Sequence, residues 1–190
     1  MPAAKRFNNI AELVAGLNSV TADTQNTFAG LNAKQLNWKP GPERWGVAQC
    51  FDHLLTANQS YFAIFEQVTR GKKNTLWESM PLLPGFFGGM LIKSLDPATT
   101  RKMKAPKAFQ PQESDIDGQI IERFVAQQNR LAVSMSGLEG HDLDAVKVTS
   151  PALKIITYSL RDACAIIVVH EQRHFQQAQR VLAMPEFPRS

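Results

Sequence analysis

Hydrophobic residues recur every three or four positions in four long stretches of the chain, which is the spacing of one apolar stripe on an α-helix. These stretches cover residues 7–31, 46–70, 115–136 and 159–184. Strand-like alternation is almost absent, apart from a short piece of extended chain predicted at 146–148. Four amphipathic helices with so little strand signal predict an all-α four-helix bundle, with residues 1–190 as a single domain.

Helix-breaking and helix-capping residues mark the ends of these stretches. Pro40 and Pro42 interrupt the connector between the first two predicted helices, and Pro185 follows the fourth, because proline cannot donate a helical backbone hydrogen bond. Ser114 is a natural N-cap for the third helix, since its hydroxyl can accept a bond from a free backbone N–H.

Residues 72–113 form a long Pro/Gly-rich connector between the second and third predicted helices, with one short helix predicted at about 86–95. A connector of this length inside a compact domain is uncommon and is often functional. Two interpretations stay open. The segment forms a lid or wall over a pocket, or it is a packed connector that lets its two flanking helices run parallel.

Charge and cysteine content exclude several classes of protein. The net charge of +4 is mild, and the basic runs lack the motifs of a nucleic-acid-binding protein. No apolar run approaches the roughly 20 residues that span a bilayer. Cys50 and Cys164 form no CxxC pair and lie in apolar stretches, as buried thiols do in a reducing compartment. We therefore expect a cytoplasmic protein with no membrane or nucleic-acid partner.

Three of the four histidines fall on the predicted apolar stripes. His170 and His174 are four residues apart on one helix, so their rings share a face, and His53 lies on the inner face of the second helix. Burying three imidazoles is unfavourable unless each is paired, and one shared divalent ion would satisfy all three. His141, the fourth, is expected in an exposed loop. The pattern predicts a metal site made by His53, His170 and His174.

A rival interpretation comes from His170-Glu-Gln-Arg-His174, which matches the H-E-x-x-H motif of zinc metalloproteases. Only sixteen residues follow His174, none of them histidine, and no strand precedes the helix to bind a peptide. The protease interpretation is therefore weak. Glu171 is one position off the histidine face, where we expect it to orient an imidazole or meet solvent.

The chain resembles the DinB/YfiT-like superfamily across nearly its whole length. The resemblance rests on Leu36-Asn-Trp-Lys-Pro40, on Trp45-Gly-Val-Ala-Gln-Cys-Phe-Asp-His53-Leu, and on His170-Glu-Gln-Arg-His174-Phe-Gln-Gln-Ala. The Pro-rich piece at 104–111 is similar to one subgroup. A departure is Gly46, where a capping serine is usual.

The resemblance implies an up-down-down-up helix order and a three-histidine site for one divalent ion, nickel or zinc above all. It also implies a metal-dependent enzyme acting on a small molecule with a low-molecular-weight thiol as cosubstrate, that is, a thiol S-transferase, an isomerase or a related hydrolase. Homodimers are common in the family, so we expect one here.

Two other functions stay open at this stage. One is a non-catalytic metal-binding or stress-related protein of the same fold; the other, DNA binding, predicts salt-dependent affinity for duplex, which we expect to be absent. Gln49, Glu171 and Arg173 are candidates to orient ligands or anchor a carboxylate. Cys50 is either a fourth ligand or, more in keeping with free cysteines generally, a packing residue.

Overall fold

The computed structural model describes residues 7–80, 83–96, 105–112 and 115–189. The elements are α1 (Ile10–Phe28), α2 (Ala33–Asn37), α3 (Val47–Thr69), α4 (Leu83–Leu95), a 3-10 turn (Lys107–Phe109), α5 (Ile120–Ser136), β1 (Lys147–Thr149), β2 (Thr157–Ser159) and α6 (Leu160–Leu182). Strands β1 and β2 pair antiparallel, and the 3-10 turn lies in the long connector. The predicted all-α bundle is confirmed: α1, α3, α5 and α6 form it.

The contacts between helix ends fix the direction of each helix. Arg161, at the start of α6, donates hydrogen bonds to the backbone carbonyls of Phe7 and Asn8, just before α1. Gly16, further along α1, lies against Val168, further along α6. The helices α1 and α6 therefore run parallel.

The helices α3 and α5 also run parallel to each other. The Phe51 ring lies 5.0 Å from the Phe124 ring near the start of both helices, and Gly137 approaches Thr69 at their ends. Because the start of α3 packs against the second half of α6, α3 is antiparallel to α6. The four helices thus follow the predicted up-down-down-up order.

Local hydrogen bonds decide where the helices begin. Asn9 and Ser159 cap α1 and α6, each accepting a bond from the backbone N–H three residues on. The third predicted helix begins at Ile120 rather than 115, because Asp115 has a left-handed backbone (φ 54°) that a helix cannot include. The proposed cap Ser114 lies outside the described residues. The short helix α2, which the sequence reading placed in a connector, is held by a capping box between Asn32 and Gln35.

A layer of polar side chains divides the hydrophobic core into two clusters. One cluster contains Tyr158, Leu131 and Met135, and the other contains Phe28, Phe51 and Phe124. Between them along α3, α5 and α6 lie three side chains that are almost completely buried. We call these the polar layer: Asn58, Gln128 and Glu171.

The connector between α3 and α5 packs on the bundle. Its helix α4 lies against α6 and β2, and its 3-10 turn lies against α3. Near its beginning, the buried carboxylate of Glu78 accepts bonds from Lys72 (2.6 Å) and from Thr149 of β1 (3.1 Å). Within the described part of the chain, every helix is either too short or too polar to be a membrane span.

Candidate metal centre

The antiparallel packing of α3 and α6 brings the three predicted histidines together. His53 lies in the second turn of α3, and His170 and His174 occupy successive turns in the second half of α6. The ring centroids are 4.6–4.9 Å apart in all three pairs. One nitrogen from each ring lies within 4.8 Å of the other two. This is a cluster that could hold a metal ion.

Burial keeps these imidazoles neutral. His53 and His174 are 3% and 8% exposed, and His170 is partly covered. Burial lowers the pKa of all three rings, and for His170, with the nearby His53 and Arg173 adding to the effect, the pKa falls to about 3. A neutral ring has a nitrogen lone pair available, which is the form that binds a metal.

A backbone carbonyl sets which nitrogen of His53 faces the cluster. The Nδ1 atom lies 2.5 Å from the Phe109 carbonyl oxygen in the 3-10 turn. A carbonyl oxygen can only accept, so Nδ1 carries the hydrogen and Nε2 has the lone pair. That Nε2 lies 3.0 Å from Nε2 of His170. Metal-binding histidines are oriented in this way, by a hydrogen bond from the second ring nitrogen.

The donor set fits a divalent ion. Two imidazole nitrogens on one tetrahedral zinc ion are about 3.3 Å apart, close to the 3.0 Å between His53 and His170. In His174 of this cluster, Nδ1 is buried and has no hydrogen-bond partner among the described residues. Buried polar atoms are rarely left in that state. A shared ion would accept lone pairs from all three residues and leave a coordination position open.

Trp45, which the sequence indicated only as part of the family resemblance, forms a wall of the site. Its ring stacks on His174 at 5.6 Å and 26° and lies 5.0 Å from the His53 ring. Trp45 precedes α3 by two residues, so its spacing from His53 could have indicated that both side chains lie near the same end of the helix.

Glu171 occupies neither of its expected positions. Its side chain is completely buried in the polar layer, where Oε1 accepts bonds from Asn58 (2.8 Å) and Gln128 (2.7 Å). It therefore neither orients an imidazole nor meets solvent, and the metalloprotease interpretation loses its general base. The reason is rotational: one residue on an α-helix turns the side chain by about 100°, here away from the histidines.

The other candidate side chains have structural partners. Gln49 accepts from the Gly46 N–H (3.2 Å) and donates to the Gln112 carbonyl (2.9 Å). Arg173 donates to the carbonyls of Ser94 and Asp96 at the end of α4. Gln49 therefore joins α3 to the connector at Gln112, and Arg173 joins α6 to the connector at the end of α4. Both contacts lie beside the histidines in the sequence of their helices.

The cysteines behave as packing residues. Cys50 and Cys164 are both free and completely buried, and burial raises the pKa of Cys50 to about 12. A thiol with this pKa stays protonated and is a poor ligand. The metal-ligand cluster found among the described residues does not include either cysteine. His141 was expected to be exposed and is instead half-buried, within 3.2 Å of the Leu138 carbonyl.

Fold and site together place this protein in the class of candidate metalloproteins. It is a helical bundle with a cluster of three histidines between two antiparallel helices. The sequence model of the DinB superfamily matches residues 17–178, and the chain belongs to the DinB superfamily.

Two proteins of Bacillus subtilis show the range of this similarity. An uncharacterised protein of strain 168, YuaE, is 23% identical over 165 residues, which cover 86% of this chain and 93% of YuaE. Among solved structures, YfiT superposes with a TM-score of 0.57 at 12% identity, covering 95% of this chain and 90% of YfiT. YfiT is described as a probable metal-dependent hydrolase with an unusual four-helix bundle topology. The likeness to YfiT supports the shared fold.

Proposed function

We propose that this protein is a metal-dependent enzyme that acts on a small molecule, with one divalent ion held by His53, His170 and His174. The observation that carries the proposal is the convergence of three neutral ring nitrogens from α3 and α6, two of them from buried residues and one from the partly covered His170. Nickel and zinc are the ions we expect, since both accept imidazole ligands. YfiT, a probable metal-dependent hydrolase of the same fold, supports metal-dependent chemistry.

The reaction we propose is attack of a low-molecular-weight thiol on a small electrophile. The thiol loses its proton, and its sulfur forms a bond to the electrophile while a leaving group departs or a double bond is opened. In an isomerisation the carbon–sulfur bond is broken again and the thiol is released. A divalent ion with an open position lowers the pKa of a bound thiol or water and so generates a nucleophile near neutral pH. The protein's part is to hold three neutral donors, to exclude bulk water on the Trp45 side, and to fix the His53 ring through the Phe109 carbonyl. Glu171 supplies no base in this scheme.

The first experiment measures metal content. Untagged protein is compared, by elemental analysis, with the triple variant His53→Ala, His170→Ala, His174→Ala. We expect about one divalent ion per chain in the wild type, from the three-ligand site, and none in the variant. Equal metal content in the two proteins would end the proposal.

The second experiment identifies the nucleophile. The metal-loaded protein is incubated with a generic electrophile and a panel of thiols, and separately with ester and amide substrates without thiol. Turnover that needs a thiol supports the transferase or isomerase. Hydrolysis of the ester or amide substrates without a thiol would instead show that the protein is a hydrolase.

A non-catalytic metal-binding role is the second candidate. It is favoured by the position of Glu171, because no carboxylate or cysteine of the described residues joins the three histidines as an acid or base. Metal binding without turnover in either assay would support this role. We also propose that the protein is a cytoplasmic homodimer with no nucleic-acid partner. Size-exclusion chromatography tests the dimer, and duplex-binding assays test the expected absence of nucleic-acid binding.

A further inference from the structure

Residues 105–112 of the connector are tied to one face of α3, and we call this segment the strap. Three hydrogen bonds make the connection. His53 Nδ1 donates to the Phe109 carbonyl (2.5 Å), Gln49 Nε2 donates to the Gln112 carbonyl (2.9 Å), and Asp52 Oδ2 accepts from the Gln112 N–H (2.9 Å). Positions 49, 52 and 53 are i, i+3 and i+4 on a helix, so all three side chains point to the same side.

The contacts of the strap are buried on the α3 side, whereas Gln112 on the strap is exposed. Gln49 and Asp52 are 6% and 8% exposed, so water cannot replace a lost partner at little cost. A carboxylate that accepts a backbone N–H also makes a stronger bond than a neutral acceptor does. The Asp52–Gln112 bond is therefore suited to hold the strap in place three residues from the carbonyl that His53 contacts.

The strap determines how His53 can present itself to an ion. A free imidazole exchanges between two tautomers and rotates, so either nitrogen could face the cluster. The Phe109 carbonyl accepts only from a protonated Nδ1, which leaves Nε2 as the ligand atom. If the strap moved away, His53 would lose both the preferred tautomer and the preferred ring orientation.

We propose that Asp52 is a positioning residue for the metal centre: by holding the strap at Gln112, it keeps the Phe109 carbonyl on His53 Nδ1. This inference rests on the proposed function, because it gives the long connector a part in metal binding. It also gives the 105–112 part of the connector a role at the site, in addition to the packing of the connector on the bundle between the parallel helices α3 and α5.

The test compares Asp52→Ala with Asp52→Asn. Alanine removes the acceptor for the Gln112 N–H, whereas asparagine keeps an oxygen in its place. The matched control is Asp142→Ala, because Asp142 likewise accepts backbone N–H bonds, from Asp144 (3.0 Å) and Ala145 (2.9 Å), in a different connector. Gln112→Pro is the second variant, since it removes the N–H and leaves α3 intact.

Two measurements report on His53. Nitrogen-15 NMR of the metal-free protein gives the tautomer of the His53 ring, and titration with Co(II), followed by its visible spectrum, gives affinity and coordination. We expect Asp52→Ala and Gln112→Pro to mix the tautomers and to weaken Co(II) binding by about 10- to 100-fold, the usual effect of losing such a partner. Asp52→Asn should recover most of the affinity, and Asp142→Ala should match the wild type.

The outcomes separate this proposal from the proposed function. Wild-type tautomer and Co(II) affinity in folded Asp52→Ala would overturn the positioning role while leaving the metal site intact. Absence of Co(II) binding by the wild type would overturn the proposed function; the NMR measurement would still show whether Asp52 fixes the His53 ring. Equal losses in Asp52→Ala and in the Asp142→Ala control would reduce the effect to general destabilisation and overturn the proposal.

Discussion

Replacing Glu171 with glutamine should stabilise the metal-free protein at neutral and alkaline pH. Glu171 is completely buried in the polar layer, and burial raises the pKa of its carboxyl from 4.5 to about 8, although hydrogen bonds from Gln128 and Asn58 act in the opposite direction. Between these two pH values the folded protein holds a proton that the unfolded chain has released.

The sign and size of the effect follow from proton linkage. Because the folded state binds the extra proton, the free energy of unfolding falls as pH rises from 4.5 towards 8, and the stabilising contribution is complete only below 4.5. Each pH unit in this window corresponds to about 1.4 kcal/mol, so the loss at pH 7 is about 3 kcal/mol. Glutamine cannot ionise and avoids that loss.

The geometry of the polar layer favours this substitution. Glutamine keeps the oxygen that accepts from Asn58 and Gln128, at 2.8 and 2.7 Å. It also puts a donor in place of Glu171 Oε2, and Glu171 Oε2 and Gln128 Oε1 are both buried acceptors without a partner among the described residues. The variant therefore resembles the protonated acid.

The assay is urea unfolding of chelator-treated protein at about pH 5, 7 and 9, followed by circular dichroism and analysed by linear extrapolation. The control is Glu139→Gln, since Glu139 is exposed after α5 and its substitution should change little at any pH. We expect Glu171→Gln to gain stability over the wild type as pH rises. A difference that is constant from pH 5 to 9 would refute the assignment of a protonated Glu171.

Three further predictions concern other parts of the molecule. Gly46→Ser should lower the free energy of unfolding by about 1–3 kcal/mol, because a Cβ atom would lie 2.4 Å from the Trp38 carbonyl oxygen. This holds although serine is the better N-cap; an unchanged midpoint in chemical denaturation would contradict it. Burial raises the pKa of Glu78, but hydrogen bonds, above all from Lys72, lower it overall. Lys72→Met should therefore cost about 1–3 kcal/mol at pH 7 and less once the pH falls below the lowered pKa of Glu78, where the carboxylate is protonated in either protein; equal losses at pH 7 and in acid argue against the ion pair. Zinc at a hundredfold excess over its dissociation constant should stabilise the wild type by about 2.7 kcal/mol and leave the triple-histidine variant unaffected in thermal melts.

Much of the fold could be predicted because apolar residues recur every three or four positions in an amphipathic helix. The bounds predicted for the second and fourth helices, 46–70 and 159–184, differ from α3 and α6 by one or two residues. The third helix was predicted five residues too early, because the left-handed backbone of Asp115 (φ 54°) is not visible in the spacing of apolar residues. The pairing of β1 with β2 also escaped prediction, since three-residue strands are too short to show a period.

The three histidines were found in the sequence because their positions obey helical spacing, and the side on which each ring lies is fixed by that spacing alone. The roles of Phe109 and Asp52 beside His53 were not found in this way. Phe109 contributes a backbone carbonyl, which any residue carries, so no side-chain pattern could reveal it. Asp52 contacts a strap residue sixty positions away, and only the folded chain brings the two together.

Local periodicity thus determined the helices, the bundle class and the inward direction of His53, His170 and His174, because these properties depend on residues within a few turns of each other. Tertiary structure decided the rest. The direction of the Glu171 side chain follows from its position on α6 alone. Its partners Asn58 and Gln128, however, come from two other helices. Burial among distant elements is also what raises its pKa and lowers those of the histidines, since desolvation depends on everything that surrounds a charge.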